Sequence, residues 1–226
     1  MKIIYLLPPS EGKNLGGEYG DEKLSTQFKK PLEIAIRASE KDLKCKGVRY
    51  KQGIQLNKNI NSSEKLTAIS RYSGVMYNSI DYSGMNSRGK KYFENNFCIL
   101  SGMYGVVSPL DMIGNYKLPI ETKGLYKFWG DQITDLLNED NYDYIVDLLP
   151  GSYAKMINWK SIETKIIRIN FLHKKDGELK KITHGVKKIK GEYIYNLCEK
   201  GINKIEDFSG ENVKISEKEY HINIIS

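Results

Sequence analysis

Polar, glycine and proline residues follow three apolar stretches of the sequence, at the points where predicted strands would leave the core. The stretches span residues 3–7, 97–100 and 144–149, and they run into PPSEGK, SGMYG and PGS. In α/β sheets, ligands bind at the carboxyl ends of strands, where loops and helix N-termini present free N–H groups. Ser, Gly and Pro are also ordinary turn residues, so one such loop alone would indicate only a turn. Three together, one of which carries a carboxylate and an amine, predict a ligand-binding cleft.

The candidate cleft consists of eight side chains that can donate a proton, accept one or carry charge: Ser10, Glu11, Lys13, Ser101, Tyr104, Asp111, Tyr116 and Lys117. Asp111 could be a general base or anchor a ligand, and it could equally cap a turn. Tyr104 and Tyr116 could stack on a base or donate to a phosphate, or they could be ordinary half-buried tyrosines in a chain that has 16. Glu11 and Lys13 could simply pair with each other. No Walker loop, GxGxxG motif or Ser/His/Asp order accompanies these residues, so hydrolysis by those routes has no motif behind it.

Basic residues are concentrated in residues 173–191. The chain has 35 Lys and Arg against 28 Asp and Glu, a net charge of +7. The segment carries only two acidic residues, Asp176 and Glu178, beside its lysines, which are Lys174, Lys175, Lys180, Lys181, Lys187, Lys188 and Lys190. Such a concentration can bind a phosphate backbone, although a charge run can also be an ordinary solvated surface. We predict these seven lysines as nucleic-acid-binding residues, with DNA as the partner.

Cysteine and histidine residues are few and scattered. Cys45, Cys98 and Cys198 form neither a disulfide framework nor a CxxC motif, and the three histidines are equally dispersed. We expect no metal site and no other cofactor. The N-terminal apolar run is too short for a signal-peptide core or a membrane span. We therefore expect a monomeric cytoplasmic protein that does not enter a membrane.

Predicted strands and helices alternate along the chain, which favours an α/β fold with a mixed sheet flanked by helices. Strands are predicted in KIIYLLP, NFCILS, YDYIVDLLP, KIIRINFLHKK, ELKKITH and EYHINII, and the Asp176–Gly177 pair predicts a tight hairpin between the fourth and fifth. Helices are predicted in PLEIAIRASEKDL and GSYAKMINW. The strongest helix prediction is ETKGLYKFWGDQITDLLN, whose apolar residues Leu125, Phe128, Trp129, Ile133, Leu136 and Leu137 lie at helical spacing. The first five of these should be buried. No linker or repeat interrupts this alternation, so residues 1–226 should form one domain.

The stretch KKIKGEYIYNLCEKGINKIEDFSG, residues 187–210, predicts a pair of helices. Gly201 makes the turn, and Asn203 with Glu206 resembles a capping box that opens the second helix. A helix pair of this kind can present backbone N–H groups to a phosphate without reading any base. The same pattern also describes an ordinary helical corner.

Five blocks of the sequence resemble the YaaA family of bacterial proteins in order and spacing: PPSEGK, RYSGVMYNSI, ILSGMYGVVSPLDMIGNYKL, YKFWGD and FLHKKDGELKKITHGVKKIKG. The resemblance implies a family-specific single-domain α/β fold with a helix-hairpin-helix-like element near the C-terminus. It also implies a cytoplasmic role in resisting peroxide stress and DNA binding through a basic cleft. Family members commonly have arginine where this chain has Ser108, Lys117 and Lys190. Lysine keeps the charge but lacks the bidentate fork of arginine, and Ser108 lacks the charge as well.

These features together predict a protein that binds double-stranded or structured DNA without sequence preference and that acts in peroxide stress. The alternative is an enzyme that acts on a nucleotide, nucleoside or base in the cleft. In an enclosed pocket, Ser101, Tyr104 and Asp111 should converge with Ser10 or Glu11, and Asp111 should be partly buried. In a DNA groove, Asp111 should instead accept a hydrogen bond from a turn N–H. A third alternative, iron handling, has no clustered His or Cys in its favour, although scattered carboxylates could converge in space.

Overall fold

The computed structural model describes residues 1–19, 29–175 and 177–225. Its strands are β1 (Ile3–Leu7), β2 (Lys65–Thr67), β3 (Phe97–Ser101), β4 (Gly105–Val107), β5 (Met112–Gly114), β6 (Tyr144–Asp147), β7 (Lys165–Lys175), β8 (Glu178–Lys181), β9 (Glu211–Lys214) and β10 (Glu219–Ile225). Its helices are α1 (Lys29–Arg37), α2 (Gly47–Lys58), α3 (Ala68–Arg71), α4 (Val75–Ile80), α5 (Ser87–Asn96), α6 (Leu125–Trp129), α7 (Gln132–Glu139), α8 (Gly151–Ala154) and α9 (Val186–Lys200). This is the predicted α/β architecture.

Eight of the strands form one mixed sheet. Five of them are parallel and lie in the order β3-β1-β6-β7-β10, while β4 and β9 pair antiparallel at the two edges and β8 pairs with the end of β7. Along the chain, the parallel strands therefore lie in the doubly wound order 2-1-3-4-5. The winding reverses between β1 and β6, and the crevice outside their carboxyl ends is where such folds bind ligands. β2 and β5 form a separate two-stranded sheet.

Burial on both faces explains the continuous apolar run of β1, since all five of its residues are buried. The single helix predicted over residues 121–138 is wrong in one respect, because it is divided into α6 and α7. Gly130, with a φ of 37°, ends α6 in a left-handed conformation and shifts the phase of the apolar face. Leu125, Trp129 and Ile133 are buried as predicted, whereas Phe128 is only half-buried and Leu136 is 37% exposed.

The C-terminal region contains one long helix where the sequence predicts a pair. α9 ends before Gly201, and the second predicted helix is a single 3₁₀ turn, Ile205–Asp207. The Asp207 carboxylate accepts from the backbone N–H groups of Asn203 (2.9 Å) and Lys204 (3.1 Å), so this residue caps the turn in place of Glu206. The chain then enters β9, whose sequence has no apolar alternation that would predict a strand.

The predicted hairpin is confirmed by the antiparallel pairing of β7 with β8, which runs from Leu172 opposite Lys181 to Lys175 opposite Glu178. Asp176, at its turn, lies outside the described residues. None of the helices in the described parts of the chain has the length and apolar character that crossing a membrane requires.

Candidate functional site

Two cavities flank residues 8–13, the loop that follows β1 at the switch point of the sheet. The first cavity has a volume of about 150 Å³ and is lined by Pro9, Ser10, Glu11, Lys13, Lys44, Tyr116, Lys117, Leu118, Pro119, Glu121, Ser152 and Tyr153. The second cavity has a volume of about 460 Å³ and is lined by Pro8, Pro9, Ser10, Glu11, Gly12, Gly74, Val75, Met76, Tyr77, Pro150, Tyr153, Val186, Lys187 and Lys190. Both contain residues that follow β1 and β6, as the topology of the sheet requires.

Backbone hydrogen bonds fix the loop after β1 against the segment that follows α3. The backbone N–H of Ser73 donates to Gly12 O at 3.0 Å, and that of Asn14 donates to Arg71 O at 2.8 Å. Lys13, between them, forms an antiparallel bridge with Tyr72. The backbone on either side of Lys13 is therefore held, and its side chain is positioned by the fold.

The buried Arg71 guanidinium holds the next part of the loop. Its side chain is 1% exposed and donates to the carbonyl oxygens of Asn14, Gly16 (3.1 Å), Glu64 (2.8 Å) and Ile113 (3.3 Å). Burial lowers the pKa of Arg71, but an arginine remains protonated at neutral pH. Four carbonyl dipoles thus solvate this cation, and the contacts tie together three segments that are distant in sequence.

Three buried hydroxyl groups fix the aromatic wall of the first cavity. Ser101 Oγ accepts from the backbone N–H groups of Met103 (3.2 Å) and Tyr104 (3.1 Å), so its own proton is directed to Tyr116 Oη at 2.7 Å. Tyr116 can then donate to Tyr72 Oη at 2.8 Å. Burial raises the pKa of Tyr116 to about 12, so this chain of hydroxyls is neutral at physiological pH.

Two amines of different character line the first cavity. Lys117 Nζ is 3.0 Å from Glu11 Oε2, which gives it a counter-ion. Lys13 Nζ donates to Ser10 O at 2.9 Å and lies 4.3 Å from the centroid of the Tyr116 ring. Burial first, and then the charge of Lys117, lower the pKa of Lys13 to about 7, against a smaller opposing effect of Glu11. Lys13 is therefore much easier to deprotonate than an ordinary lysine.

Lysines of α9 line the second cavity. Lys187 is exposed at its rim, while half-buried Lys190 donates to Leu148 O at 2.6 Å. Burial lowers the pKa of Lys190 to about 8, although nearby Asp147 favours its charged form. A Cβ atom on Gly191 would lie 2.5 Å from Met76 O, so glycine at this position lets α9, which carries Lys187 and Lys190, pack closely against α4.

All lysines of the basic segment except Lys190 are exposed to solvent. Lys174, Lys175, Lys180, Lys181, Lys187 and Lys188 are all exposed. Lys180 lies 3.4 Å from Glu178 and Lys188 lies 3.6 Å from Glu192, and both pairs are solvent-exposed. The remaining four form no ion pair with any carboxylate in the described part of the chain. Their charge is thus available to an anion.

The structure brings five of the eight predicted cleft residues together, since Ser10, Glu11, Lys13, Tyr116 and Lys117 all line the first cavity. Ser101 lies behind this wall, bonded to the Tyr116 hydroxyl. Tyr104 also lies behind it, with its ring edge-on to that of Tyr116 at 5.5 Å and its hydroxyl accepting from Gly114 N at 3.0 Å.

Asp111 lines neither cavity. It is exposed, and its Oδ2 atom accepts from the backbone N–H of Ser108 at 2.7 Å, so it caps the turn that carries Pro109. Of the two roles that the sequence leaves open for this carboxylate, the structure has the turn cap.

Several lining residues were not predicted. Gly74 and Tyr77 lie within the RYSGVMYNSI block, so the resemblance of that block to the YaaA family could have identified them. The Tyr77 hydroxyl donates to Pro8 O at 2.8 Å. Lys44 and Glu121, which are 2.9 Å apart, carry no comparable signal because both lie in irregular segments that tertiary packing brings together. Within the described residues, no group of three or more His, Cys, Asp and Glu side chains is arranged to hold a metal ion.

Comparisons with known proteins agree over nearly the whole length of the chain. A family model described as peroxide stress protein YaaA matches residues 1–223. A UPF0246 protein of Fusobacterium nucleatum is 28% identical over 242 aligned residues, which cover 99% of this chain and 94% of the relative. A UPF0246 protein of a Marinomonas species is 33% identical, covering 75% of this chain and 70% of its own, and one of Crocosphaera subtropica is 27% identical, covering 86% and 80%.

Proposed function

This chain belongs to the peroxide stress protein YaaA family, and from that premise we propose that it binds the phosphate backbone of double-stranded or structured DNA in the cytoplasm, without reading base sequence. One observation carries the proposal. Lys187 of α9 and the loop after β1 line the same cavity, although they come from opposite ends of the chain. Two of the seven lysines, Lys187 and Lys190, and two of the eight candidate cleft residues, Ser10 and Glu11, thus line one cavity, which supports a shared role.

The first turn of α9 is arranged to attract an anion. It contains Lys187 and Lys188 and no acidic residue. The N-terminus of a helix carries partial positive charge and unpaired N–H groups, so lysine side chains in the first turn are electrostatically unfavourable there. A bound anion would relieve this repulsion and stabilise the helix. A phosphate group is such an anion, and N–H donors can bind it directly.

The composition of the basic surface favours binding without sequence readout. The cations at the hairpin β7–β8 and at the start of α9 are all lysines, which act as flexible point charges. Base reading in the major groove depends largely on bidentate contacts, of which an arginine with guanine is the commonest. Lysine contacts with phosphate position the protein on the duplex and carry no sequence information directly.

The salt dependence of binding tests the proposal. In the variant Lys181→Ala/Lys187→Ala, the slope of the logarithm of the binding constant against the logarithm of salt concentration should become shallower by up to about 2, since each phosphate contact contributes about 0.9. Affinity should fall to a similar extent for unrelated duplex sequences. Lys190 is left intact because its bond to Leu148 O is part of the fold.

The matched control is Lys51→Ala/Lys91→Ala, which removes the same charge from exposed positions on α2 and α5. It should leave the slope nearly unchanged. Equal slopes for wild type and both variants would overturn the proposal, because the lysine segment would then be an ordinary solvated surface.

An enzyme acting on a nucleotide, nucleoside or base is the second candidate, and the state of Lys13 favours it. Active sites are where burial and neighbouring charges shift pKa values, and Lys13 combines both effects in a cavity with a fixed aromatic wall. Thermal shift of the wild type against a panel of nucleosides and nucleotides tests this candidate. A shift with one ligand class, lost in Lys13→Met, supports it, and no shift with any member of the panel counts against it.

A further inference from the structure

Lys13 combines three properties that ordinary surface lysines lack. Its amine is held by a hydrogen bond to Ser10 O, its backbone is bridged to Tyr72, and it faces a cavity whose wall is the Tyr116 ring. It forms no ion pair with a carboxylate among residues 1–19, 29–175 and 177–225. A lysine placed in this way is positioned to react as an amine.

The surroundings of Lys13 favour its neutral form. The rings of Tyr116 (4.3 Å) and Tyr72 (5.5 Å) attract the ammonium ion, but removal from water and the nearby Lys117 charge act against it. Glu11, whose charge favours the ammonium form of Lys13, is already paired with Lys117. A desolvated lysine beside another cation is a standard means of activating an amine toward carbonyl groups.

The size and charge of the first cavity limit the ligand. Its volume of about 150 Å³ is below the roughly 300 Å³ at which cavities enclosing drug-sized ligands begin. A whole nucleotide would not be enclosed, but a single sugar ring or its open-chain form would fit. Lys44 and Lys117 also line the cavity, each in an ion pair with a carboxylate (Glu121 and Glu11), and a phosphate group attached to that sugar would compete with those carboxylates for the two ammonium groups.

We propose that Lys13 forms an imine with the aldehyde of a phosphorylated pentose held in the first cavity. This inference rests on the proposed function where the sugar is an abasic nucleotide within bound DNA, and it is independent of that function where the sugar is a free sugar phosphate. In the reaction, the nitrogen lone pair adds to the carbonyl carbon, and the two amine protons leave with the carbonyl oxygen as one water molecule. The ammonium group of Lys117, in the same cavity, stabilises the oxygen anion that forms on addition.

Reductive trapping tests this inference on the full-length protein. The wild type is incubated with sodium cyanoborohydride and one of three probes: a duplex with a single abasic site, the same duplex intact, or deoxyribose 5-phosphate. The reductant converts an imine into a stable secondary amine, and peptide mass spectrometry locates it. We expect an adduct on Lys13 with the abasic duplex, with deoxyribose 5-phosphate or with both, and none with the intact duplex; the productive probe identifies the source of the sugar.

Two variants test whether Lys13 is the amine that reacts. Lys13→Arg keeps the positive charge and the ring contact, but a guanidinium stays protonated, so the adduct yield should fall by about tenfold or more. Lys91→Arg, at an exposed position on α5, should leave the yield unchanged. The wild-type yield should rise with pH as Lys13 loses its proton near pH 7. Adducts spread over exposed lysines, a yield unaffected by Lys13→Arg, or no adduct with either aldehyde would each overturn the inference.

Affinity for the intact duplex, measured on the same samples, separates this inference from the proposed function. Retained duplex binding without a Lys13 adduct overturns the imine and leaves DNA binding standing. A Lys13 adduct with deoxyribose 5-phosphate, accompanied by no affinity for any duplex, overturns DNA binding and supports the imine.

Discussion

Replacement of Gly191 by alanine should destabilise the protein, although helix propensity alone predicts the opposite. Gly191 lies inside α9, where a glycine-to-alanine change usually stabilises a helix by about 1 kcal/mol. Here the added Cβ atom would lie 2.5 Å from Met76 O and 2.5 Å from Ser79 Cβ of α4. Ordinary contact begins at 3.4 Å, so α9 must move by roughly 0.9 Å.

The size of the stability loss depends on how far the atoms around Gly191 can move. Met76 O is a backbone atom of α4, so it cannot rotate away as the end of a side chain could. Overpacking of this kind costs about 1–3 kcal/mol, and a clash with backbone belongs at the upper end of that range. Subtracting the propensity gain of about 1 kcal/mol leaves a net loss of about 2 kcal/mol. In a domain of this size, the melting temperature should fall by about 4–8 °C.

Urea denaturation followed by circular dichroism measures this loss. The matched control is Asn196→Ala, at an exposed position in the same helix. There the higher helix propensity of alanine acts without any clash, so the free energy of unfolding should rise slightly. A Gly191→Ala variant as stable as the wild type, or more stable, would refute the close packing of α9 on α4 and with it the placement of Lys187 and Lys190 on the second cavity.

Three further predictions concern the core and the first cavity. Trp129→Ala should lower the free energy of unfolding by about 3–5 kcal/mol, because it leaves a cavity and also removes the donor to Gly102 O (3.0 Å). Trp129→Phe should cost less. If urea denaturation shows both variants to be as stable as the wild type, Trp129 is not a core residue. Tyr116→Phe should cost about 1–3 kcal/mol in the same assay by leaving the hydroxyls of Ser101 and Tyr72 without their shared partner, and no loss would contradict the role of the Tyr116 hydroxyl as that partner. The Lys13 pKa is lower in the folded than in the unfolded protein, so burying the charged amine lowers the free energy of unfolding below pH 7. This loss of stability is relieved as the pH rises from about 7 to 10.5. The stability of Lys13→Met relative to the wild type should therefore decline over that pH range, and a flat difference would contradict the shift.

The sequence predicts those elements whose environment is uniform. β1 and β3 are buried along their whole length, as expected for strands of a parallel sheet covered on both faces, and their position along the chain follows from their apolar runs. β6 has the same apolar pattern except at Asp147. α9 is predicted from the apolar stripe along the side of the helix that is buried. The division of the predicted helix into α6 and α7 depends on the left-handed conformation of Gly130, and a glycine within a helical pattern is compatible with either outcome.

The candidate site is predictable where its residues directly follow strands. Ser10, Glu11 and Lys13 are found in this way, because the carboxyl end of β1 fixes where the next residues lie. The direction of a side chain is not predictable from charge, and so Lys190 appears among the solvent-facing lysines of its segment although it donates into the fold. Asp111 shows the same limit, since a carboxylate after a proline can cap a turn or face a ligand, and only the tertiary structure decides.

The most direct test of DNA binding at this cleft is a lysine footprint. The wild type is treated with an acetylating reagent in the presence and absence of an undamaged duplex, and the modification of each lysine is quantified by mass spectrometry. We expect the duplex to slow acetylation of Lys175, Lys181 and Lys187, while the exposed Lys51 and Lys91 react at unchanged rates. Equal reactivity at all five positions under conditions where the duplex is bound, or protection confined to Lys51 and Lys91, would contradict it.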